Sequence, residues 1–306
     1  MTGGPGEYFA STPGSVAPSE RPLAAAPVSS TPPAAPPRRP KPARIAIAAI
    51  VVVAVVAALG LVRGHARAAA ALGEGDGSFG RVLAHPPSRT FVNPQRILPA
   101  PATVATVAGA GGYTVLRRHG GQPVAWDPCQ PIHFVVRATG EPPGGRLLLD
   151  RALDEISKET GLFFMDDGTT AEAPSADRNP YQPDRYGKQW APVLIAWSEP
   201  GEFAALQGDV VGVGGPVAID GKNARNISGE VVFDGPDIAR VEATPEGATF
   251  VYDIMLHELG HLVGLGHVDD PTQIMNPVSL RPLAGYGSGD LRGLRALGAG
   301  RCFTTS

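Results

Sequence analysis

Three histidines, a glutamate and three glycines share eleven residues, HELGHLVGLGH at 257–267. His257 and His261 are four apart, so on a helix they lie on adjacent turns of one face, with Cβ atoms about 5–6 Å apart. Zinc takes imidazole nitrogens at about 2.0–2.1 Å, which brings tetrahedral ligands to roughly 3.3 Å of one another, a separation that this spacing can reach. Glu258 projects beside them, within reach of a water on such an ion. His267 is the difficulty. In a continuous helix it would lie about 9 Å beyond His261 along the axis and off the shared face. The chain must therefore stop being helical and turn back. Gly264 stands where that turn has to come, because glycine takes a positive φ without steric cost. Gly266 adds further freedom.

Eight residues after His267 comes IMNP, with Met275 in a turn closed by Pro277. Here the chain resembles the metzincin metallopeptidases. His257, Glu258, His261, Gly264 and His267 fill the signature H-E-x-x-H-x-x-G-x-x-H, and Met275 fits the Met-turn. The spacing from His267 to Met275 and the proline two residues later look most like the matrixin branch. The resemblance covers residues 113–306, although only 257–277 carries specific positions.

The resemblance implies that His257, His261 and His267 hold one catalytic Zn²⁺ with a fourth position left to water. It makes Glu258 the general base and acid of peptide-bond hydrolysis, and Met275 an apolar floor rather than a ligand. A protein or peptide substrate would lie along the glycine-interrupted segment 210–219, near Val217, as an added strand. Residues Val278 to Leu280 would shape the pocket beyond the scissile bond. Structural Ca²⁺ is a further family expectation that no motif here supports. The chain also departs from the family. No cysteine precedes Cys129, no histidine lies between His133 and His257, Pro277 replaces the tyrosine of some metzincins, and Val268 stands where matrixins often carry serine. These remove the cysteine switch and the second zinc site. A different class of function stays open: a catalytically silent, zinc-stabilised binding module at the cell surface. Glu258 and the open fourth position speak for the enzyme.

Other polar residues earn less. Asp269 and Asp270 suit turn chemistry before Pro271, with orientation of a ligand histidine as the alternative. His133 reads as a surface or satisfied histidine, and His65, His85 and His119 receive no role.

The elements that must position the motif alternate in type. PIHFVVRA (131–138) reads as a strand, and RLLLDRALDEISKET (146–160) as an amphipathic helix closed by Gly161 at C′. LFF (162–164) opens another strand, 181–190 is a polar surface loop, and PVLIAW (192–197) is a strand buried on both faces. Gly212, Gly214, Gly215 and Pro216 assign 210–219 to an edge or a bulge. A strand at 229–234 and a helix from about Thr249 lead into the motif, and the resemblance adds a C-terminal helix. The fold class is α+β, or mixed α/β, a metzincin-like zincin with a twisted mixed sheet.

The whole chain has 306 residues and a formal net charge of −3, which gives no basic footprint for nucleic acid. Residues 1–44 are rich in Pro and Ala and read as a disordered cytoplasmic segment. Residues 45–62, IAIAAIVVVAVVAALGLV, carry no polar side chain and span about 27 Å as a helix, close to a bilayer's hydrocarbon core. Arg38, Arg39, Lys41 and Arg44 precede the run against Arg63 and Arg67 after it, which puts the N-terminus in the cytoplasm and the rest outside. A retained single-pass anchor is preferred; a signal peptide cleaved near 65–71, giving a secreted protein, is the alternative. Residues 63–112 read as a tether, and 113–306 as the metallopeptidase domain. Outside the cytoplasm, Cys129 and Cys302 form a natural disulfide, two buried free thiols being the other reading.

Overall fold

The computed structural model describes residues 95–102, 112–278 and 281–303, which belong to one compact unit. The apolar run at 45–62, most of the tether, His65, His85 and Leu280 lie outside the described residues. Among the described residues no helix is long and apolar enough to cross a membrane.

Three two-residue strands come first: β1 (Thr114–Val115), β2 (Arg118–His119) and β3 (Gln122–Pro123). Then follow β4 (Ile132–Arg137), α1 (Gly145–Thr160), β5 (Phe164–Thr169), the single-turn α2 (Pro183–Tyr186) and β6 (Val193–Ser198). After a 3₁₀ turn at Ala204–Leu206 come β7 (Gly212–Ile219), β8 (Arg225–Asp234), α3 (Gly235–Glu242) and α4 (Gly247–Val263). The chain closes with β9 (Leu265–Gly266) and α5 (Ser288–Gly298).

Five strands form one mixed sheet in the order β5-β4-β6-β8-β7. The first four run parallel, and β7 returns antiparallel to β8 at the edge, with a register shift between Val217 and Ala218. Proline and glycines suit that position, since an edge strand has no ladder to lose on its outer side. Every residue of β6 is buried, as a parallel strand covered on both faces requires. Period-two alternation then sorts the side chains. Phe134, Val136, Ile195, Trp197, Val231 and Phe233 face the helices and join their core, while Val135, Leu194, Ala196 and Val232 serve two small clusters elsewhere.

Helix α4 lies at the centre of the larger core. Met255, Leu256, Leu259, Leu262 and Val263 are fully buried in it, each such side chain contributing about 1.5–3 kcal/mol. A helix this apolar around its circumference has to be interior. It packs between β7 on one side and α1, α3 and α5 on others. Helix α1 ends at Gly161 in the left-handed region, its N–H donating to the Ser157 carbonyl.

Cys129 and Cys302 are joined by a disulfide, with 173 residues of separation and Cα atoms 5.3 Å apart. Nearby, Arg96 reaches from the stretch that composition assigns to the tether. Its guanidinium donates to the carbonyls of Gly298 (2.9 Å), Gly300 (3.1 Å) and Gly161 (3.2 Å). A cation there meets the negative ends of α1 and α5 together.

Candidate active site

Helix α4 ends at Val263 because Gly264 takes φ 117° and ψ 10°, its N–H donating back to Gly260 (3.2 Å) and His261 (2.9 Å). The chain then reverses into β9 and delivers His267 to the face carrying His257 and His261. The three Nε2 atoms lie 3.0 Å (His257–His261), 3.0 Å (His261–His267) and 3.2 Å (His257–His267) apart.

The opposite ring nitrogens explain what can sit among them. Nδ1 of His257 donates to the Ile274 carbonyl at 2.7 Å, and Nδ1 of His261 to the Leu265 carbonyl at 2.8 Å. A carbonyl only accepts, so Nδ1 carries a proton in both rings, and in the neutral form of each ring Nε2 turns a lone pair toward the other. Lone pairs facing at 3.0 Å repel unless a cation lies between them. Three imidazole nitrogens with this spacing suit zinc, whose tetrahedral ligands stand roughly 3.3 Å apart. The residues fit the ion that the motif implies.

Glu258 is 7% exposed. Burial pushes its carboxyl up to about 8, against the pull of the Gly214 N–H that donates to it. Two glycines of β7 make this approach possible. A Cβ at Gly212 would lie 2.8 Å from Glu258 Cγ, and one at Gly214 would overlap the Glu258 backbone. The glycines that mark an edge strand in the sequence thus also admit the glutamate-bearing helix.

Met275 is 1% exposed and lies under α4, where a Cβ at Gly260 would come within 2.5 Å of its sulfur. The turn around it is fixed from α5. Asp290 accepts from the N–H groups of Ile274 (2.7 Å), Gly287 (2.9 Å) and Met275 (3.3 Å). Ile274 in turn holds His257 through its carbonyl, so Asp290 acts on that ring at one remove. Sequence reasoning missed this residue. Its signal was weak: one acidic side chain ahead of the apolar face of a short helix. Trp126 was also missed; its indole N–H donates to the carbonyl of Leu262, the residue after His261, at 2.8 Å.

The other expected residues lie as follows. Asp270 makes turn contacts, accepting from the Thr272 N–H (2.9 Å) and hydroxyl (2.7 Å). His133 Nδ1 meets Asp167 at 2.9 Å, on β4 beside β5. Val217 lies in β7, the edge strand of the sheet, and is buried there. Among the described residues no group of three carboxylates converges.

The matrixin family model matches residues 191–286, from β6 through the Met-turn. Over that stretch the chain is similar to the matrixins, a metzincin family. No curated protein matches the chain. Among solved structures, archaemetzincin from Methanopyrus kandleri is similar, at 21% identity, covering 54% of this chain and 93% of that one, with a TM-score of 0.36. The family match takes in all three histidines, Glu258 and Met275.

Proposed function

We propose that this chain is a membrane-anchored, extracytoplasmic zinc endopeptidase. His257, His261 and His267 would hold the ion. The convergence of their three Nε2 atoms, with two Nδ1 protons committed to carbonyls, carries the reading. Zinc in such a site polarises a carbonyl and lowers the pKa of water toward about 7. Glu258, fixed by the Gly214 N–H and shielded from solvent, takes the proton of the attacking water and passes it to the leaving amine. A positive ion beside it opposes the effect of burial and favours the carboxylate that a base requires.

Substrate adds as a strand along the outer edge of β7, with which no strand pairs among the described residues. Val217 contributes its backbone there, and the segment ending at Leu280 shapes the neighbouring pocket. Residues 45–62 anchor the chain, with 1–44 in the cytoplasm and the tether and catalytic domain outside. Casein or peptide-library hydrolysis by the full chain is the test. The expected result is turnover that 1,10-phenanthroline abolishes and Glu258→Ala reduces by orders of magnitude. Zinc-loaded chain that binds but does not cleave would leave the silent binding module as the reading.

A further inference from the structure

His257 and His261 inherit their positions from α4, whereas His267 lies beyond the helix and needs another support. On its C-terminal side the Val268 N–H donates to the Met275 carbonyl at 3.0 Å, which ties it to the Met-turn. On its N-terminal side the support comes from the far end of the domain. Strand β1 pairs antiparallel with β9, Thr114 opposite Gly266 and Val115 opposite Leu265. The Leu116 N–H donates to the Gly264 carbonyl at 2.9 Å, at the reversal itself. The Thr114 hydroxyl donates to the carbonyl of His267 at 2.7 Å.

The contact is close. A Cβ at Gly266 would lie 2.6 Å from Thr114 Oγ1, so the residue before the third histidine has room only for hydrogen. Gly112, just upstream, accepts from Gln273 Nε2 at 3.0 Å, and Gln273 Oε1 accepts from the Asp290 N–H at 2.6 Å. Residues 112–116 thereby touch both supports of His267, the reversal and the Met-turn. A two-residue ladder has little stability of its own. What these bonds do is remove backbone rotations on either side of one imidazole.

We propose that Thr114 is a positioning residue of the metal centre, holding the His267 backbone so that its ring completes the three-nitrogen set. The inference rests on the zinc reading above. It makes the chain that enters the domain part of the site, although that segment supplies none of the three histidines.

The test compares the full chain in detergent with Thr114→Val, which keeps the shape and loses the donor, and Thr114→Ser, which keeps the donor. Zinc affinity is read by competition with a chromogenic chelator, ligand geometry by the visible bands of the Co²⁺ form, and folding by the melting temperature of metal-free protein. Thr114→Val should bind zinc about two- to tenfold more weakly, as loss of one hydrogen bond implies, with altered cobalt bands and near-native metal-free melting. Thr114→Ser should restore both. Wild-type affinity and an unchanged cobalt spectrum in Thr114→Val would overturn the proposal, as would an affinity loss matched by lost metal-free stability and not rescued by serine. If the wild-type chain binds no zinc, or binds it equally after His267→Ala, the zinc reading itself falls. Intact wild-type binding with an indifferent Thr114→Val defeats only the positioning role.

Discussion

Replacing Gly264 by alanine perturbs the reversal on which the three-histidine set depends. At φ 117° and ψ 10° a residue with a Cβ bears a strain of about 1–3 kcal/mol. The new Cβ would meet Leu297 Cδ2 at 3.2 Å and the Val124 carbonyl at 3.4 Å. The first is the end of a flexible side chain and the second is near ordinary contact, so backbone strain dominates. Alanine also narrows the unfolded ensemble, which offsets about 0.4–1 kcal/mol. A net loss of about 1–2 kcal/mol follows, or a fall in melting temperature of roughly 2–8 °C for a domain of this size. The chain can relieve part of that strain by opening the turn, and the imidazoles then separate and zinc affinity drops instead. Circular-dichroism melting of metal-free protein and a zinc titration together capture both routes. Gly264→Asn should fall between glycine and alanine, because asparagine tolerates left-handed backbone better. If Gly264→Ala melts and binds zinc as the wild type does, the reversal does not depend on glycine and the reasoning fails.

Two further outcomes concern groups away from the histidines. Burial pushes the Glu230 carboxyl up to about 7, with Arg178 and the Ser175 N–H pulling it down and Glu172 pushing it up. Since that folded value exceeds the ordinary 4.5, its protonation stabilises the fold fully below pH 4.5, and the benefit is lost as pH rises through 7. Glu230→Gln should therefore gain about 2–3 kcal/mol on wild type between about pH 5 and pH 8 in urea unfolding; a pH-independent difference would contradict the cause given. The Cys129→Ser/Cys302→Ser double variant opens a covalent loop with a sequence separation of 173. It should lose about 5 kcal/mol in the loop-entropy account, and an unchanged denaturation midpoint would refute that contribution.

The parts of the site written in adjacent residues were legible, and the parts supplied by distant ones were not. The HELGHLVGLGH spacing demanded a helix end at Gly264, and the helix ends at Val263. Strand PIHFVVRA and helix RLLLDRALDEISKET appear within a residue or so of their expected bounds, at Ile132–Arg137 and Gly145–Thr160. Pro216 and its neighbouring glycines marked an edge strand, and β7 is one, with its bulge. Strand β8 starts at Arg225 rather than 229, because Asn226 and Ser228 are polar residues buried inside it and interrupt the apolar run. Helix α3 was missed although Asp234 caps it, accepting from the Asp237 N–H ahead of a Gly-Pro start that reads as a turn. Asp290, Thr114 and Arg96 act through single long-range hydrogen bonds. No periodicity records such bonds, and β1 is too short to carry a pattern.

The most direct test of the central claim is X-ray absorption at the zinc edge of the metal-loaded full chain, alone and as His267→Ala. The account predicts three imidazole nitrogens at about 2.0–2.1 Å with one oxygen in the wild type, and the loss of one nitrogen in the variant. A wild-type spectrum with two histidines, or one that His267→Ala leaves unchanged, would contradict it.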